Sequence, residues 1–191
     1  MKQEDIYKPY EEVKLTQMLN SIEKVKHTEK KVALVIDPEN NAYTFFKYKG
    51  EVIDMTEHLL KENMGKQTRE ESIERARMRL YVGLKSGATT IIAMDKVAKN
   101  LDDIFKGSLW WEPDKLFSPE EVLVEEFYKK KIIKKEEDVD FEGNKGCFLA
   151  KSDFTLAILI SEVEEIDYKK IVTELGISPN LLKIVRIIPN Q

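Results

Sequence analysis

One stretch constrains this chain more than any other: Val32-Ala33-Leu34-Val35-Ile36-Asp37, then Pro38-Glu39-Asn40-Asn41, then Ala42 to Tyr48. Five apolar residues in a row, without alternation, suit a strand covered on both faces. An acid closes the run, a polar turn follows, and a short helix is expected from about Ala42 to Lys47. A buried strand that passes through a turn into a helix is how nucleotide-binding α/β domains begin. In a working phosphate site the turn is glycine-rich and places lysine before serine or threonine. This turn contains neither glycine nor lysine, and Glu39 adds a carboxylate. The frame of a nucleotide site is present without its phosphate chemistry.

The elements that follow repeat the strand–helix alternation. Glu51 to Met55 reads as a second strand, and Thr56 to Lys66 as a polar stretch. Thr68 and Glu71 form a capping box for a helix with Ile73, Ala76, Leu80 and Leu84 at helical spacing, stopped by Gly87. Arg69, Arg75 and Arg79 are expected on its other face. Thr89 to Asp95 is a third strand that again ends in an acid. Ser118-Pro119-Glu120-Glu121 is a helix start running to about Tyr128. Cys147 to Ala150 and Phe154 to Ile160 read as strands joined by a tight turn at Lys151-Ser152-Asp153. Tyr168 to Leu175 reads as a helix, and Leu182 to Ile188 as the last strand. Strand, helix and strand in this order imply right-handed crossovers and a parallel sheet.

Ahead of the first strand, apolar residues from Tyr10 through Val13, Met18, Ile22 and Val25 recur at nearly helical spacing. Two readings fit this segment, taken as a helical arm over 1–30: a helix packed on the flank of the domain at 31–191, or an arm that docks on a partner. Tyr10 and Met18 are its proposed contact residues. Trp110 and Trp111 also allow two readings, a plug at the edge of the core or an anchor for a partner.

Composition narrows the function classes. The 31 basic and 35 acidic residues of the 191 give a net charge of −4, which supplies no electrostatic drive toward nucleic acid. No apolar run is long enough to span a membrane, and the polar N-terminus is unlike a targeting signal, so a cytoplasmic protein is expected. Cys147 is the single cysteine, which excludes an internal disulfide. With it, His27 and His58 show no ligand spacing, and no metal or cofactor is expected. Asp95, at the end of an apolar strand, is where a magnesium-holding acid would stand, but it is also an ordinary turn residue. Gly65-Lys66-Gln67-Thr68 lacks the first glycine and the residue after lysine that a phosphate loop needs. No catalytic residue is assigned.

The order of these pieces resembles a degenerate AAA module, most closely the fifth AAA module of dynein heavy chains. The resemblance rests on Ile36-Asp37-Pro38-Glu39, Asn41-Ala42 and Phe45-Phe46, against a family opening of the form I-D-P-Q-x-Q-A. It continues through Val52 to Met55, Gly87 to Asp95, Asn100 to Asp103, Ser152 to Ser161 and Leu182 to Ile188. The segment from Lys106 to Gly143 has no counterpart. A fainter resemblance is to the terminal segment of ciliary proteins with IQ motifs and ankyrin repeats. The resemblance implies a three-layer, P-loop NTPase-like α/β fold, mainly parallel, with strand order 5-1-4-3-2 and no phosphate-binding loop. It also implies a non-hydrolysing structural or adaptor protein of the cilium or axoneme, with axonemal proteins or microtubules as partners. The alternative from the residues is a divergent nucleotide kinase or NTPase using Asp95 and the arginines at 69, 75 or 79.

Overall fold

The structure is a computed structural model that describes residues 10–96, 98–140, 142–161 and 167–189. Its strands are β1 (Glu11–Val13), β2 (Val32–Asp37), β3 (Glu51–Asp54), β4 (Thr89–Met94), β5 (Thr155–Ser161) and β6 (Leu182–Ile187). They form one sheet in the order β1-β6-β2-β5-β4-β3, and every ladder is parallel. The two longest apolar runs take the centre: all six residues of β2 and all seven of β5 are buried. The order differs from the expected five-strand one through β1, which pairs outside β6. The pairing is parallel throughout instead of mainly so.

Alternate residues of the central strands feed two apolar layers. Val32, Leu34 and Ile36 join one layer, and Ala33 and Val35 the other. Helices α1 (Met18–Lys24) and α2 (Asn41–Lys49) cover the second layer through Met18, Ile22, Ala42 and Phe46. On the first layer lie α4 (Arg69–Ser86), α5 (Leu101–Phe105), α6 (Pro113–Leu116), α7 (Glu125–Lys131) and α8 (Tyr168–Glu174). Crossovers that step one way along the sheet, β1 to β2 and β2 to β3, use the second layer. Those that step back, β3 to β4, β4 to β5 and β5 to β6, use the first. All five therefore share one hand, as parallel crossovers require.

The expected capping box is formed: the Glu71 amide donates to Thr68 Oγ1 at 3.2 Å and the Thr68 amide to Glu71 Oε2 at 2.8 Å. Gly87 closes α4 in the left-handed region, at φ 78°. Three expectations are corrected. The polar stretch after β3 is a helix, α3 (Met55–Asn63), because Asp54 caps it through the Glu57 amide and Met55 and His58 turn inward. The segment Cys147–Ala150 is not a strand; Phe148 is buried beside Tyr81 and Tyr128, while its neighbours Cys147 and Leu149 are exposed. The helix expected from Ser118 to Tyr128 is split into a 3-10 turn at Glu121–Leu123 and α7.

The described part of 1–30 is built into the sheet and its covering layer. β1 runs along β6, and a wider helical turn at Val25–Glu29 follows α1. There Lys26 is buried and donates to the carbonyls of Ser152 at 2.7 Å and Phe154 at 2.8 Å, tying the start of β5 to this layer. Burial lowers its pKa against the pull of Asp153.

Gly83 sets how closely α4 approaches the sheet. A Cβ there would lie 2.1 Å from Thr90 Oγ1 and 2.9 Å from Phe154 Cε2. Gly83→Ala is expected to destabilise the fold by about 1–3 kcal/mol through overpacking, read as a lower urea midpoint with an unchanged slope.

Candidate functional site

In open parallel sheets, ligands bind beyond the carboxyl ends of the strands. At that edge β2 ends in Asp37, which is fully buried. Its Oδ1 accepts the Glu39 amide at 3.0 Å and its Oδ2 the Ala42 amide at 2.6 Å. Asn40 takes the left-handed conformation, φ 58°, just ahead of α2. The turn thus folds back on its own strand's acid, and a carboxylate occupies the place where helix amides would meet phosphate. Glu39 points its carboxylate at Asn41 Nδ2, 3.0 Å away.

The ends of β3 and β4, on the far side of β5, carry two further acids. Asp54 accepts the Tyr43 hydroxyl as well as the Glu57 amide. Burial, and then the bond to Asp54, raises the Tyr43 pKa. Asp95 is exposed after β4, and its amide donates to Thr56 Oγ1 at 3.3 Å. Among the described residues no group of three or more His, Cys, Asp or Glu side chains has the arrangement of a metal site. His58 is buried, which lowers its pKa, and its Nδ1 has no partner among the described residues; His27 is exposed. Gly65 to Thr68 is the connection between α3 and α4, where Gln67 Nε2 donates to Ser72 Oγ at 2.5 Å.

The arginines do not share a face. Arg79 pairs with Glu51 at 2.8 Å and, with Arg75, lines a small pocket beside β3. Arg69 instead donates to the carbonyls of Asp103 and Ile104, the latter at 2.7 Å.

Three of the four expected contact residues, Trp110, Trp111 and Met18, are buried and not exposed anchors. Trp110 and Trp111 are 3% and 7% exposed, with ring centroids 4.8 Å and 5.0 Å from Phe105. The Trp111 indole donates to Asp102 Oδ1 at 2.9 Å. The pair is a core plug, the burial that aromatic rings favour when their own chain offers a pocket. Met18 is buried because β1 pins the segment to the sheet and turns the stripe of α1 inward. Tyr10 is half-buried and stacks on Tyr168, centroids 4.8 Å apart.

A sizeable cavity lies elsewhere, between α4, the 106–110 turn and the 131–136 segment. It measures about 760 Å³, with Arg69, Ile73 and Arg77 along its α4 wall. That i, i+4, i+8 spacing was the available signal for it in the sequence. Arg77 builds the wall: it forms a two-pronged pair with Glu137 at 2.6 and 2.7 Å, a second with Glu74 at 2.7 and 2.9 Å, and reaches the Ile132 carbonyl at 2.6 Å. Burial alone would lower the Arg77 pKa; the two carboxylates raise it overall. Arg77, and then Lys134, hold Glu74 down at about 2.

No helix among the described residues is long and apolar enough to cross a membrane. Comparison of the chain with protein-family models, with curated proteins and with solved structures finds no match.

Arg77→Met is expected to cost about 3–5 kcal/mol, because it leaves the mostly buried Glu137 uncompensated. The pH dependence has a definite sign. The Glu74 carboxyl falls from 4.5 to about 2 on folding, so its contribution is complete above pH 4.5 and is lost as pH falls toward 2. Urea midpoints followed across that window should fall in the wild type, and less steeply in Arg77→Met, where Lys134 alone still pairs with Glu74.

Proposed function

We propose that this chain is a non-catalytic structural or adaptor protein built on a degenerate P-loop-like, AAA-like α/β frame. The observation that carries the reading is the Asp37 carboxylate, fully buried and bonded to the Glu39 and Ala42 amides at the first turn. A phosphate at that turn would have to displace a carboxylate that already holds the amides, and the turn has no lysine to recruit it. The resemblance to the non-hydrolysing dynein module supports the same reading. A ciliary or axonemal setting, with axonemal proteins or microtubules as partners, is the narrower part of the proposal and comes from the resemblance alone.

Calorimetric titration with ATP or GTP and magnesium tests it. No saturable heat is expected. Binding in the micromolar range would overturn the reading in favour of a nucleotide kinase or NTPase, and Asp95→Ala and Arg79→Ala would then show whether those side chains serve it. Asp37→Ala tests the local basis: leaving the buried Ala42 amide and the part-buried Glu39 amide without their acceptor should cost about 1–3 kcal/mol, measured by urea unfolding.

A further inference from the structure

The 760 Å³ cleft takes no part in the argument from Asp37. Its size falls within the range of ligand pockets, roughly 300–1,000 Å³. Ile73, Trp110, Ile132 and Ile133 give it an apolar floor, and Leu109, 65% exposed, stands at its rim. Six of its lining side chains are basic and three are acidic, on a chain whose net charge is −4. Ion pairs occupy part of this set: Arg77 and Lys134 with Glu74, Arg77 with Glu137, and Lys131 with Glu112.

Arg69, Lys106 and Lys135 have no carboxylate partner among the described residues; Glu70 and Glu136 are the unmatched acids of the lining. Arg69 is the cation already in place. Both of its bonds go to neutral carbonyl oxygens, which fix the guanidinium without cancelling its charge. The buried Trp110 indole N–H adds a donor that has no acceptor among the described residues.

From this combination we infer that the cleft docks an acidic segment of a partner protein, anchored by an apolar side chain held between the Ile73–Ile133 floor and Leu109 at the rim. Its carboxylates meet Arg69, Lys106 and Lys135. This rests on the adaptor reading and specifies the chemistry of its partner. Cations on the rim give such docking a salt dependence, because exposed charge pairs are screened.

A displayed library of random peptides, selected on the full chain, tests the inference. Enriched peptides should combine an apolar residue with two or more acids and weaken with added salt. They should bind about tenfold less tightly to Lys106→Glu/Lys135→Glu and to Leu109→Asp, rim changes that leave the core intact. Unchanged melting temperatures of both variants would confirm that the fold is kept. Enrichment without acidic bias, equal binding to the charge-reversed variant, or no enrichment at all overturns the inference. The two readings fail separately. Nucleotide binding by calorimetry with charge-selective peptides intact removes the non-catalytic reading and leaves the cleft. A silent nucleotide titration with charge-indifferent peptides removes the cleft alone. Displacement of peptide by nucleotide removes both.

Discussion

The carboxylate of Asp37 sits at the end of the most enclosed strand and holds the two amides that open α2. A buried charge must be met by hydrogen bonds or it costs several kcal/mol. The turn is the local answer, because its amides supply charge-assisted bonds within five residues. The direction of α2 follows, and with it the layer through which the chain crosses from β2 to β3. That first crossover reaches the far edge of the sheet, so β4 and β5 can fill inward on the opposite layer and β6 can close the near side. One bonded acid therefore serves topology, in the position where a phosphate site would have served chemistry.

The sheet's two edges are managed differently. β6 is covered by β1, whose pairing carries Met18, Ile22 and Val25 of the following helical turns onto the second layer. Without them Ala33, Val35, Val185 and Ile187 would face solvent on that side. An apolar stripe on an N-terminal segment is compatible with self-docking and with partner docking alike; here β1 decides for the chain's own sheet. At the other edge β3 is four residues long, with Glu51 and Asp54 at its ends, the short and charged form that discourages pairing between molecules.

Much of the frame was legible in the sequence because unbroken apolar runs and local caps are local signals. Val32–Ile36 and Phe154–Ile160 announced central strands, and Thr68, Glu71 and Gly87 marked both ends of α4. What escaped depends on residues far apart in the chain. Glu11–Val13 shows no strand signal until β6 lies beside it. Met55 reads as the end of a strand and His58 as part of a polar stretch until β4 and α4 enclose them. For Trp110 and Trp111 the sequence left a core plug and a partner anchor both open, and Phe105 and Phe117 decide for the plug. The cleft joins α4 to a segment 60 residues further on through Arg77 and Glu137, a pairing that no periodicity announces.

The use of buried charge bears on what kind of protein this is. In enzymes, shifted acids and bases tend to face an open cleft, held ready for substrate. Several of the shifted groups here fasten the fold, Arg77 and Glu74 from the wall of the cleft itself. Lys26, lowered by burial, is bonded to two carbonyls at the start of β5. Arg77 and Glu74 are locked in a network that fastens residues 132–137 to α4. Tyr43, raised by burial and by Asp54, joins α2 to the end of β3. Each of these charges or hydroxyls is bonded within its own chain. Within the cleft lining, Arg69, Lys106 and Lys135 are the cations without a carboxylate partner among the described residues. Charge in this chain thus fastens the 132–137 segment to α4 from one side of the cleft, while these three cations and an apolar floor line the rest of it.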